Sequence, residues 1–348
     1  MGPEVEQAVA EVATPVLGHA KWFVGDPSVY STDWAFALSP LSLGMVAAAV
    51  IGAVVWRLVS RLLPVPELAV LRPLGRLAPW IPRLLGVHLG VSLLSLAVTD
   101  SYLAPSLPLG PVSGGVVIAL AEGVVGVWLI TGVRLRGAAL AVVALGPLGL
   151  ALAGPVAVLE AADLLGIALF LALLPPGRDR WGARLATATE LAWPVLVLRL
   201  CVGGALVVVA FSEKLANPQL TEAFLDRYPA FDLFRLLGLD LGPEAFIVVA
   251  AAVEVLFGLL LISGAAPQAA VIVAGIPFNA TLFFLDRTEL IGHLPIYGAM
   301  LALLVYGSQP GLAEAVPWFP GHRQPNPGAG DPVPAAHRRG IAGSVKLS

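Results

Sequence analysis

Charge is what this sequence has least of. Asp, Glu, Lys and Arg make up 12% of its 348 residues, against roughly 25% in ordinary soluble domains. So few charged side chains cannot clothe a water-facing surface of this size, which excludes a soluble globular enzyme and a disordered chain alike. The net charge of −3 leaves no basic footprint for nucleic acid. Cysteine occurs once, at Cys201, so an intrachain disulfide, a cysteine zinc site and a CxxC redox pair are all excluded. Lysine is scarce too, three against seventeen arginines, a usage that points to a GC-rich prokaryotic genome. No Walker loop or dinucleotide-binding fingerprint is present. No E-x-x-H pattern of the di-iron bundle type occurs.

What stands in place of charge is a series of apolar runs. Hydrophobic residues reach 58% and the mean hydropathy is +0.88. A membrane-crossing helix needs about 20 mostly apolar residues. Nine runs qualify, at 38–57, 81–99, 114–132, 136–154, 157–174, 191–211, 245–264, 267–285 and 291–307. The expected fold is therefore all-α, a polytopic membrane helix bundle of about nine transmembrane helices. Residues 1–37 form an acidic leader with Glu4, Glu6, Glu11, Asp26 and Asp33 against the single Lys21. They lack the positive n-region of a cleavable signal and place the N-terminus outside. Nine crossings then put the C-terminus in the cytoplasm. Fourteen of the twenty basic residues fall in segments assigned to the inside, five outside, and Arg199 lies within a run. That is the bias the positive-inside rule requires, and the expected location is a prokaryotic plasma membrane.

The runs repeat. Thr99-Asp100 and Pro105-Ser-Leu107 after the second run match Ser212-Glu213 and Pro218-Gln-Leu220 after the sixth. Glu122, Gly126 and Gly132 in the third match Glu254, Gly258 and Gly264 in the seventh, both reading E-x3-G-x5-G. Pro147 and Pro277 occupy similar places in the fourth and eighth. These correspondences predict two tandem four-helix units, 81–175 and 191–307, in parallel orientation, with one helix and a basic inner loop (38–80) before them. The proline- and glycine-rich tail, 308–348, is expected to be disordered.

An ionisable group at mid-bilayer costs about 2.5–3.5 kcal/mol on the insertion scale, so such groups face partners or water. Glu122 and Glu254 are the clear cases. His88 lies on the helix before Glu122 and Arg199 on the helix before Glu254, so each unit offers a cation and an acid. Two readings stand: a polar, proton-accessible site in each unit, or a structural pair that fixes packing. A second polar set gathers near the outer boundary, with Asp100, Glu160 and Asp163 in the first unit and Glu213, Lys214, Asp286, Glu289 and His293 in the second. Interfacial solvation explains most of it. Asn217-Pro218 would pin Glu213-Lys214 at the surface, however, and His293 one turn after Glu289 forms a carboxylate-supported histidine suited to proton transfer. The loop 213–244 reads as an amphipathic aromatic segment lying along the interface, and the segment around Trp22 to Trp34 is placed over the same face.

Arg199, Phe211-Ser-Glu-Lys-Leu215, Pro218 and Glu254-x3-Gly258-x5-Gly264 together resemble the DoxX-like family of small four-helix membrane proteins. The resemblance covers about 191–307. In the first unit it is weaker, because Ser101 stands in place of the lysine and Arg83 is three residues out of register with Arg199. It implies a part in membrane redox, as in quinone-reducing thiosulfate oxidoreductase subunits, and carries over to Arg199, Lys214 and Glu254. The expectation is a subunit of a membrane redox system that binds a quinone or similar lipid-phase molecule. In it Arg199 and Glu254, with His88 and Glu122 in the first unit, bind the head group. Glu213, Lys214 and His293 carry the chemistry or the proton route. Its expected partners are the lipid bilayer and soluble or membrane redox proteins, and no resident metal is required. The rivals are a non-catalytic assembly scaffold and a proton-coupled small-molecule transporter.

Overall fold

The structure is a computed structural model describing residues 20–24, 29–178, 185–239, 241–284 and 287–325. Helices account for most of each apolar run. They are α1 (Pro40–Ser60), α2 (Ile81–Val98), α3 (Gly115–Thr131), α4 (Leu135–Glu160), α5 (Ala162–Leu173), α6 (Ala188–Val209), α7 (Gly242–Ser263), α8 (Pro267–Phe284) and α9 (Arg287–Ser308). Local chemistry sets their ends. Ser39 caps α1 ahead of Pro40, and Thr187 with Glu190 forms a capping box on α6. α3 and α7 end at left-handed Gly132 and Gly264.

Among the described residues, five helical stretches are long and apolar enough to cross a membrane: 40–60, 69–98, 135–160, 188–215 and 242–263. The run 157–174 departs from expectation. Gly154, at φ 79° and ψ 178°, breaks α4, and α5 has only 12 residues, about 18 Å of rise. Two further departures matter. Ser101–Tyr102 (β1) and Ala104–Pro108 (β2) pair antiparallel, so among the described residues one small two-stranded ribbon accompanies the helices. The tail, expected to be disordered from 308, is packed through its first part: Leu312, Ala313, Ala315, Val316 and Trp318 are buried. Residues 326–348 lie outside the described residues, as do 1–19 of the acidic leader.

The helices pair in a regular way. α2 packs on α3 and α6 on α7; α4 packs on α5 and α8 on α9. α5 also lies against α6, and α9 against α2. The pairs are drawn together at glycines. A Cβ on Gly90 would lie 2.6 Å from the Gly126 carbonyl oxygen, and one on Gly126 would lie 2.8 Å from that of Gly90. Gly203 and Gly258 meet in the same manner, a Cβ on Gly258 lying 2.6 Å from the Gly203 oxygen. Gly166 of α5 abuts Cys201 of α6, and Gly298 of α9 abuts His88 of α2. Small residues let backbones approach this closely where lipid offers no hydrophobic drive between helices. The outward faces are apolar: Val116, Val117, Leu120 and Val124 of α3 and Ile51, Val54 and Leu58 of α1 are exposed. Acyl chains cover such a surface as water cannot.

The α6–α7 contact yields a direct test, because Gly203 is at the seam while a Cβ on Gly204 meets nothing within 4 Å. Gly203→Ala should destabilise by about 1–3 kcal/mol through overpacking. Gly204→Ala should be neutral or stabilise by up to about 1 kcal/mol through helix propensity. Thermal unfolding in detergent, followed by tryptophan fluorescence, measures the difference; equal effects would refute the seam.

Candidate functional site: a buried acidic cluster

At one end of the bundle α6 does not stop at residue 211 as expected. It continues through a π-helical turn, Ala210–Leu215, before Pro218 opens the helix Pro218–Arg227. π-turns are frequent at functional sites. This one carries Ser212, Glu213 and Lys214 into the bundle rather than into a surface loop, and Glu213 is 2% exposed. Lys214 Nζ donates to Glu254 Oε2 at 2.7 Å. Glu160 at the end of α4 accepts from both Ser212 and Lys21. Glu213 lies within electrostatic reach of Lys21, Glu160, Lys214 and Glu254, and Thr221 Oγ1 donates to its backbone carbonyl at 2.8 Å. Asp163 and His293, both buried, interact across the same region. The His293 ring sits edge-on to Phe278 at 5.3 Å and tilted to Trp22 at 6.1 Å.

Three of the acids, Glu160, Asp163 and Glu213, line a cavity of about 40 Å³ together with Trp22, Ser92 and the ribbon residues Leu103–Ser106. At about 10–15 Å³ per water it has room for roughly three. Sites that enclose drug-sized ligands run to about 300–1,000 Å³, an order of magnitude larger. Among the described residues Glu160, Glu213 and Glu254 gather around the ammonium groups of Lys21 and Lys214, and Asp163 lies beside His293. Among the described residues no group of His, Cys, Asp and Glu is arranged to hold a metal ion.

The expected pairing of Arg199 with Glu254 is not what the structure holds, and helix geometry gives the reason. α6 and α7 are antiparallel and cross where Gly203 meets Gly258. Arg199 lies four residues before Gly203, and Glu254 four before Gly258. On antiparallel helices these steps run in opposite directions, separating the two by about 12 Å along the axis. No crevice opens between them, because the backbones touch at the glycines. Glu254 takes Lys214. Arg199, 0% exposed, lies at the other end, donating from Nη2 to the Trp318 carbonyl at 2.7 Å with Phe319 over its guanidinium at 4.6 Å.

The same geometry separates His88 from Glu122. His88 Nδ1 bonds the Leu84 carbonyl at 2.7 Å, and its ring side faces Gly298. Glu122, 0% exposed, accepts the Leu103 amide at Oε1, 3.0 Å away. Where Glu254 holds a lysine, Glu122 thus holds a backbone amide, which anchors the ribbon that walls the cavity. Asp100, matched in sequence to Glu213, is exposed, with φ 55°. Glu289 lies on α9, its side chain outside the described residues, as is Asp286.

Lys21, Trp22 and Ser212 were not singled out as site residues from sequence. Lys21 carried one signal, as the lone cation of an acidic leader. Its helix, Ala20–Phe23, packs on Pro218–Arg227 through a cluster including Ala20, Leu220 and Phe224, which brings Lys21 to Glu160.

The chain matches no protein-family model, no curated protein and no solved structure.

The Lys214–Glu254 pair, with side chains 19% and 17% exposed, is buried enough that losing one partner strands a charge. Lys214→Met should cost about 3–5 kcal/mol, and adding Glu254→Gln should recover part of that loss. A double-mutant cycle on thermal stability measures the coupling; strictly additive effects would remove the pair from the account.

Proposed function

We propose that this chain is a DoxX-like integral membrane protein, two parallel four-helix units preceded by one helix, whose acidic cluster takes up and releases protons. The observation that carries the proposal is Glu213, buried at the wall of a water-sized cavity among two further carboxylates and two lysines. Like charges this close at a buried site are relieved by a proton or a cation, and such interacting groups titrate together. The cavity is large enough to admit the few waters such a relay needs.

The two-unit reading is supported by matching contacts: Gly90–Gly126 with Gly203–Gly258, Gly166–Cys201 with Gly298–His88, and Arg83 against Gly132 with Arg199 against Gly264. Orientation with the acidic end outward is supported by the basic bias of the opposite segments. The family resemblance supplies a class for the coupled reaction, redox of a quinone or similar lipid-phase molecule. A quinone ring exceeds the cavity, so it would meet the rim of the cluster instead of being enclosed. It would not contact Arg199, which lies at the other end of α6 against Trp318 and Phe319.

A second reading is favoured by one feature. The cavity is lined from both units, by Ser92 and Leu164 of the first and by Ala205 and Ile296 of the second. Secondary transporters built from repeats bind substrate between those repeats. Proteoliposomes loaded with a pH-sensitive dye separate the readings. The proton-handling proposal expects an imposed pH gradient to collapse faster than in empty liposomes, and Glu213→Gln to abolish the difference. Acceleration only when a reduced quinone is added supports the redox form, and acceleration only with a solute gradient supports the transporter. Wild type behaving as empty liposomes under all three conditions would reject both.

A further inference from the structure

The opposite end of the bundle carries arginines instead. Arg57 Nη1 donates to the Ser263 carbonyl at 2.6 Å, and Arg199 lies so close to Gly264 that a Cβ there would collide with its guanidinium. Both cations therefore lie at the C-terminus of α7, whose partial negative charge favours a cation. In α3 a single arginine, Arg83, does this, reaching the Thr131 carbonyl at 3.3 Å. The two guanidiniums flank one ring: Phe319 has Arg199 at 4.6 Å and Arg57 at 5.1 Å from its centroid. Among the described residues no carboxylate pairs with either arginine; the ion pairs are Lys21–Glu160, Arg178–Glu190 and Lys214–Glu254. Arg199 Nε and Nη1 and the buried Trp318 Nε1 have no acceptor among the described residues. The two positive charges are thus met only by neutral carbonyl oxygens, Ser263 for Arg57 and Trp318 for Arg199 Nη2, and two buried N–H groups of Arg199 are left over.

We propose that Arg57 and Arg199 form a binding site for a phosphate-type oxyanion, covered by Phe319. An aromatic face attracts a cation but does not neutralise it. An oxyanion in its place answers both charges and offers several acceptors, and guanidinium donors match phosphate oxygens in pairs. The Trp318 carbonyl already occupies the position of one such oxygen. Leu312, Ala313, Ala315 and Val316 anchor the covering segment, whereas Phe319 is only half-buried, so its ring is the movable part of the cover. The phosphate belongs either to an anionic lipid headgroup or to a soluble molecule.

Native mass spectrometry of the full chain in detergent tests this, with added phosphatidylglycerol in one arm and inorganic phosphate in the other. Phe319→Ala should bind one of the two several-fold more tightly than wild type. Arg57→Gln in that background should abolish the gain, and Arg57→Lys should retain most of it. Preference for phosphatidylglycerol identifies a lipid phosphate, and preference for inorganic phosphate a soluble one. If Phe319→Ala binds neither better than wild type, or binds equally well with Arg57→Gln, the site does not exist. Because this end is remote from Glu213, its failure leaves the proton-handling proposal untouched.

Discussion

Four carboxyl groups share one end of this bundle with two lysines, and much of the structure serves to keep them there. Taking an isolated charge into a low-dielectric interior costs several kcal/mol even after relaxation. Each acid is therefore held by something definite: Glu254 by Lys214, Glu160 by Lys21 and Ser212, Asp163 beside His293, and Glu213 at the centre of their combined field. Removing any one shifts the charge felt by the rest. An arrangement this costly persists in a membrane protein chiefly where protons or ions are handled.

The glycine seams make that gathering of charge feasible. Because α2–α3 and α6–α7 touch backbone to backbone, each helix pair is locked in depth as well as rotation. Depth then sorts the polar groups, with acids one way from each crossing and arginines the other. The polarity of the molecule, acidic cluster at one end and Arg57, Arg83 and Arg199 at the other, follows from where the glycines fall. The proposed oxyanion site and the proposed proton site are two consequences of that sorting.

The apolar runs gave the helices their places because a period-independent stretch of Leu, Val and Ala is legible without tertiary knowledge. Matched motifs such as Glu122-Gly126 and Glu254-Gly258 were legible for the same reason. Partner choice was not. Pairing Arg199 with Glu254 treated neighbouring helices as if all their polar residues met, whereas antiparallel helices crossing at Gly203–Gly258 hold those two apart. The π-turn at 210–215 was invisible, since nothing in Ala-Phe-Ser-Glu-Lys-Leu distinguishes it from an ordinary helix end; Pro218 read as a surface turn and hid the burial of Glu213. The ordered strap at 309–325 was masked by its proline and glycine content, though Trp318 and Phe319 gave a signal of packing.

A cluster that handles protons as proposed holds one that its lysines cannot replace. Infrared difference spectroscopy of the protein, titrated in lipid, reads it from the carboxylic-acid C=O stretch. The account predicts a protonated carboxyl band that persists in wild type while exposed carboxylates are ionised, and that is lost in Glu213→Gln. A spectrum in which every carboxyl group ionises together, unchanged by that substitution, would contradict it.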